Sequence, residues 1–172
     1  MKLIEPTSGS IVFDGEDVTV TDKERTQAYR RQVQMIFQDP YASMNPRFKI
    51  KDVMDEPLVI HKIEGDHEAH EKMIHKALQE VKINPPEEFM GRYPHMLSGG
   101  QRQRIATART LILNPMMLVA DEPVSMIDLS TRAEILHMLK DVQRDLELSY
   151  LYITHDLSTA RYFTDRIAVI YL

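Results

Sequence analysis

Apolar positions along this chain follow two rhythms. Residues 33–37, 116–120, 150–153 and 166–171 are short, nearly continuous apolar runs, the pattern of strands buried on both faces. Residues 10–13 (Ser-Ile-Val-Phe) predict a further short strand between the Ser8-Gly9 and Asp14-Gly15 turn signals. Elsewhere the spacing is helical. It runs over 66–82 (Ala69, Met73, Ile74, Ala77, Leu78, Val81), 99–113 (Ile105, Ala108, Leu111, Ile112) and 131–147 (Ile135, Met138, Leu139, Val142, Leu146). Segments 22–31, 51–61 and 157–163 are also helix-compatible, and a short helix is expected before Tyr93-Pro94. After Ser98, strand and helix alternate, which implies a parallel sheet covered by helices. Residues 40–97 break that alternation. Pro40 and Pro46 exclude a helix over 40–50, the helical segments follow, and Pro85-Pro86 ends the longer one. The chain therefore divides into a partial core at 1–39, a helical section at 40–97 and further core at 98–172.

Composition narrows the picture. A length of 172 residues suits one domain, and 43% hydrophobic with 27% charged residues is that of a globular protein. The net charge of −5 argues against nucleic acid as a partner, and Arg102, Arg104 and Arg109 are expected to form a solvated helix face. The chain has no cysteine, so disulfides and thiolate metal sites are excluded. No apolar run approaches the ~20 residues needed to span a bilayer, and the apolar part of Met1-Lys2-Leu3-Ile4 is too short for a signal peptide. These points predict a cytoplasmic protein that meets a membrane through partners.

Chemistry concentrates at strand ends. Ser98-Gly99-Gly100-Gln101 reads as a capping box, a serine followed three places on by glutamine. The two glycines leave backbone N–H groups open at a helix mouth of positive potential, a setting suited to phosphate. Alone, the motif is only a helix cap. Asp121-Glu122 follows the apolar run Met116 to Ala120. In open α/β sheets ligands bind at the carboxyl ends of strands, where Asp121 could hold Mg²⁺ and Glu122 could polarise a water. Gln38 ends 33–37 as His155 ends 150–153, and a histidine there can donate to a phosphate and orient water. Any one of these termini is unremarkable. Three on one sheet edge point to a common site. Asp128 lies in the turn before the 131–147 helix and reads equally as a cap. His67, His70 and His75 invite a metal reading, but no further ligands accompany them.

Together these residues resemble the ATPase subunit of ATP-binding-cassette (ABC) transporters. Leu97-Ser98-Gly99-Gly100-Gln101 resembles the signature motif, and Leu118 to Asp121 with Glu122 the Walker B strand and catalytic glutamate. Ser125 to Asp128 resembles the D-loop, His155 the switch histidine and Gln38 the Q-loop glutamine. The segments Phe37 to Arg47 and Gly91-Arg92-Tyr93-Pro94-His95 are similar to those of importers of oligopeptides, dipeptides or nickel. The resemblance implies ATP and Mg²⁺, with Asp121 and Gln38 at the metal and Glu122, His155 and Gln38 catalytic. Ser98, Gly99, Gly100, Gln101 and Asp128 would contact nucleotide. It also implies a second nucleotide-binding subunit closing head to tail, permease subunits pressed by the helical section, and indirectly a substrate-binding protein. The location would be peripheral, on the cytoplasmic face of the cell membrane.

Met96, and Met126-Ile127, depart from the family's common residues without removing chemistry. The phosphate-cradling loop is a larger departure. It needs two glycines five apart followed by lysine and a hydroxyl residue, and the glycines at 9, 15, 65, 91, 99 and 100 include no such pair. The expected fold is thus an incomplete P-loop NTPase-type parallel sheet with helices and an inserted α-helical subdomain. The chain would begin inside the helix that follows the phosphate loop, and by itself would bind ATP weakly and hydrolyse it negligibly. Two alternatives stand beside an importer ATPase. One is a non-catalytic partner that lends Ser98-Gly99-Gly100 to another subunit's ATP. The other is a soluble relative such as a repair ATPase, which would need a long coiled coil where Pro85-Pro86 interrupts the chain.

Overall fold

The structure, a computed structural model, describes residues 4–171. Among the described residues the core sheet has three strands, β3 (Val33–Ile36), β4 (Met117–Asp121) and β5 (Ser149–Ile153), parallel and in the order β3-β4-β5. Register pairs Val33 with Met117 and Ile36 with Ala120, and Asp121 with Ile153. All three carboxyl ends therefore lie along one edge. A separate antiparallel pair, β1 (Val12–Phe13) and β2 (Glu16–Asp17), closes through Asp14-Gly15. Both turn residues have positive φ (50° and 79°), as the tight hairpin turn that suits strand twist requires. The strand expected over 10–13 is this shorter one. Its partner Glu16–Asp17 went unread because two acidic residues carry no apolar alternation, although Asp-Gly is itself a hairpin signal.

Helices start where side chains can satisfy their first N–H groups. Asp22 caps α1 (Lys23–Gln32) by accepting from Arg25 N, and Asp66 caps α3 (His67–Glu80) through Ala69 N. Between them lies α2 (Ile50–Ile60). The short α4 (Pro86–Met90) opens with proline at its first position, where the missing N–H costs nothing. Next comes α5 (Gly99–Leu111), which is buried on most sides. It is followed by α6 (Leu129–Asp145) and α7 (Leu157–Phe163). One apolar core runs from Ile50, Met54 and Leu58 of α2 through Ile74 and Leu78 of α3 to Ile105, Leu118, Ile135, Met138 and Phe163. The apolar stripes read from the sequence for α3, α5 and α6 face this core, except that Ala69 is half-buried and Leu146 exposed.

Two expectations fail. Residues 166–171 form no ladder, and Ile167, Val169, Ile170 and Tyr171 are exposed. An apolar run becomes a strand only where a neighbour takes its backbone groups, and β5 offers this segment no bonds. The helix expected at the start of the chain falls partly on residues 1–3, outside the described residues, and residues 4–11 carry none.

The arginines of α5 also correct the solvated-face reading. Arg104 Nη1 donates to Val81 O (3.0 Å) and Nη2 pairs with Glu134 (3.5 Å). Arg109 Nε donates to Val53 O (3.2 Å). Val53 is four residues before Pro57, which has no N–H to close that helical bond. The guanidinium thus supplies the donor that proline withholds.

The histidines of α3 are held by carboxylates: His67 by Glu71 (3.6 Å), His75 by Glu87 (3.2 Å) and His70 by Asp55 (2.7 Å). No cluster of metal-ligating side chains occurs among the described residues. Burial pulls the His70 pKa down, but its bonds to Asp55 and to the Ile63 carbonyl (3.2 Å) outweigh this and raise it. Folding therefore favours the protonated ring. That contribution is complete below the unfolded value, about 6.5, and is lost as pH rises through the folded one. Denaturant melts at about pH 6 and pH 8 should show the wild type losing more stability than His70→Gln over this interval. Equal losses would refute the assignment.

Candidate functional site

The carboxyl edge of the core sheet brings three of the expected residues into contact. Gln38 lies two residues past the end of β3, and its Nε2 donates to Glu122 Oε2 (3.2 Å). His155 lies between β5 and α7, and its Nδ1 donates to Glu122 Oε1 (2.8 Å). Glu122 is thus the hub, its side chain 22% exposed, while His155 stands 76% exposed at the rim. Both carboxylate oxygens are engaged, and each bond to the charged acceptor is stronger than a neutral one.

Side chains alternate along a strand, which would turn Glu122 away from Asp121. The structure shows why alternation does not govern it. Glu122 has left the strand and takes a left-handed conformation (φ 44°). For a non-glycine residue this is uncommon, and such strain gathers at functional positions. The kink is fixed on both sides. Glu122 N donates to Ile153 O (3.0 Å), and its carbonyl accepts from Ser125 N (3.1 Å) and Ser125 Oγ (3.0 Å). Ser125 was read only as part of a motif, and this bracing role was missed. A serine three residues after Glu122, just past a strand end, is a recognisable turn signal that could have shown it.

Asp121 ends β4, half-buried, and its carboxylate has no partner among the described residues. On α5 the capping box forms in both directions: Gln101 N donates to Ser98 Oγ (3.2 Å) and Ser98 N to Gln101 Oε1 (3.0 Å). The Gln101 carbonyl is therefore spent on the cap. The two glycines differ. A Cβ at Gly99 would meet nothing within 4 Å, whereas one at Gly100 would lie 2.6 Å from Thr131 Cγ2. Gly100 is glycine because α6 packs against it. Asp128 sits at the N-cap of α6, yet its side chain makes no capping bond; only its carbonyl accepts, from Thr131 and Arg132. Among the described residues, neither Asp128 nor the α5 mouth bonds to the Gln38–Glu122–His155 group.

The turn carrying His155 is also ordered locally. Asp156 accepts from Ser158 Oγ and Ser158 N (2.9 Å for the latter), and these bonds hold its carboxyl below the usual range. Thr154 Oγ1 accepts from Asp156 N (3.1 Å). Arg132, also missed from the sequence, donates from Nη2 to Ile127 O (3.5 Å) and adds positive potential that favours the ionised Asp156.

Over 94% of its length the chain matches the ATP-binding cassette MJ0796, a dimer solved bound to ADP and Pi in a post-hydrolysis state. The TM-score is 0.77 at 28% identity, and 68% of that chain is covered. The architecture is that of an ATP-binding cassette. A family profile described as ABC transporter matches residues 1–125, and the chain belongs to that family. Among its relatives is the putative oligopeptide transport ATP-binding protein YkfD of Bacillus subtilis, 44% identical over 172 residues, all of this chain and 52% of the relative. Another is the dipeptide transport ATP-binding protein DppF of Haemophilus influenzae, 46% identical over 168 residues, 98% of this chain and 50% of that protein. The chain spans about half the length of the curated relatives it matches.

Proposed function

We propose that this chain is the part of an ABC importer ATPase that carries the signature helix, the Walker B carboxylates and the switch histidine. The observation behind the reading is the bonded trio Gln38–Glu122–His155 at the ends of adjacent strands. Glu122 is the base that polarises the attacking water, His155 orients that water and the terminal phosphate, and Gln38 positions Glu122. The α5 mouth, with Gly99 open and Ser98 capping, contacts the γ-phosphate held by a second nucleotide-binding subunit. Asp128 flanks the nucleotide at that subunit boundary. Dimerisation is in keeping with the two-subunit form of MJ0796.

ATP would be accompanied by Mg²⁺. The half-exposed, unpartnered Asp121 carboxylate and the amide oxygen of Gln38 are oxygen donors of the kind this ion takes. No described cluster could hold a metal by itself, which fits an ion that keeps waters and phosphate oxygens as its other ligands. When bound, Mg²⁺ neutralises charge on the phosphates. The names of the relatives support peptides as cargo; on this reading the helical section over 40–97 presses on permease subunits and moves them. Among the described residues no helix is long and apolar enough to cross a membrane, so contact with the cytoplasmic face would go through those subunits.

The test is MgATP hydrolysis by the whole polypeptide that carries this chain, with the 172 residues alone as comparison. We expect turnover from the former and only weak binding from the latter. Turnover that survives Gly99→Asp and His155→Ala together would overturn the reading. Micromolar affinity of the 172 residues alone would overturn its placing of the phosphate cradle elsewhere.

A further inference from the structure

We propose that Arg102 and Arg109 form a two-point strap that fastens the loop after Gln38 to α5, so that the Gln38–Glu122 contact depends on the position of the helix that opens at Ser98. The two arginines are seven residues apart and so lie on one face of α5. The Arg102 guanidinium sits 5.5 Å from the centre of the Tyr41 ring, a cation–π distance, and its Nη1 donates to Leu97 O (2.8 Å), the residue before the cap. Two turns on, Arg109 Nη1 donates to Ser43 O (3.4 Å), Nε to the Val53 carbonyl freed by Pro57, and Nη2 to Glu56 (2.5 Å).

The loop between these points is tied together by its own hydrogen bonds. Asp39 Oδ1 accepts from the N–H groups of Tyr41 (2.8 Å) and Ala42 (3.2 Å), and Ser43 Oγ donates to Pro40 O (2.9 Å). Met44, which follows, is buried in the core. A displacement of α5 is thus carried to Asp39, the neighbour of Gln38. The Gln38–Glu122 bond, at 3.2 Å, is already at the long limit for N–H···O, so a shift of under about 1 Å breaks it. Arginine is needed at 109 because three carbonyl or carboxylate groups must be reached at once, and only a planar fork with five N–H donors reaches them. Arg102 and Arg109 are positioning residues. They touch neither Glu122 nor His155, and link the phosphate-facing helix to Glu122 within one chain.

The inference rests on reading Gln38 and Glu122 as part of the hydrolytic site, but its test uses no nucleotide. The side-chain amide resonances of Gln38 are followed by NMR in Tyr41→Leu, Arg109→Lys and the double variant, with Glu122→Ala marking the position when the contact is gone. We expect the double variant to move these resonances toward the Glu122→Ala position, and the amides of Tyr41 and Ala42 to exchange about tenfold faster. Val142→Ala, a core truncation on α6, serves as the control for destabilisation alone. Gln38 resonances that stay at the wild-type position in the double variant, as in Val142→Ala, would overturn the strap. If Arg109→Lys does not fold, Tyr41→Leu alone decides, since Tyr41 is an exposed side chain outside the core. A failure of ATP hydrolysis would sink the proposed function and leave this result unchanged.

Discussion

The polypeptide carrying this chain should hydrolyse ATP about 10²–10⁴-fold more slowly when Glu122 becomes glutamine, while MgATP affinity stays near its original value. Glutamine matches glutamate in shape. Its amide oxygen still accepts from Gln38, and its backbone meets the same left-handed strain, with the same braces from Ile153 and Ser125. The substitution therefore alters charge and basicity, not the architecture. The one adjustment is at His155, whose Nδ1 donates to a carboxylate oxygen and must change tautomer to accept from an amide N–H. Loss confined to kcat would identify a group that acts in the transition state, and a rise in KM with kcat intact would identify a binding group. Turnover within a factor of two of the original would remove Glu122 from the chemistry.

The parts of this site that the sequence disclosed share a cause. Gln38, Asp121-Glu122 and His155 each end a run of apolar residues too short for a helix, so the chain itself marks where the sheet edge falls. The capping box was legible because it is a contact between neighbours, three residues apart. What escaped was set by distant partners. Arg109 looks like any surface arginine until Pro57, fifty-two residues earlier, is seen to leave a carbonyl without a donor. The left-handed turn at Glu122 is held by bonds from the end of another strand. Residues 166–171 have every local property of a strand, but a ladder is a property of two segments, and among the described residues the second is missing. Gly100 was right in identity but incomplete in reason, since its close neighbour is Thr131 on a later helix.

The largest stability effect should come from Phe163→Ala. Phe163 closes α7, is 1% exposed, and lies against two aromatic rings of β5: edge-on to Tyr150 (5.2 Å, 71°) and stacked on Tyr152 (4.8 Å, 29°). Lys140 of α6 reaches the same place, its Nζ 5.5 Å from the ring centre and donating to the Phe163 carbonyl (2.9 Å). Removing the ring leaves a cavity between three elements, and such truncations cost about 3–5 kcal/mol. A domain of this size has about 5–15 kcal/mol in total, so the variant should unfold at markedly lower urea with a similar m value. The loss should also be uneven. Phe163 is the most deeply buried residue of α7, and the turn between β5 and α7 is where His155 stands. Amides over 157–164 should therefore lose protection before those of α5 or α6, and Phe163→Leu, which keeps most of the volume, should recover the greater part of the loss. A cost below about 1 kcal/mol would mean that α7 is not seated on β5 as described, and that something else holds His155 at Glu122.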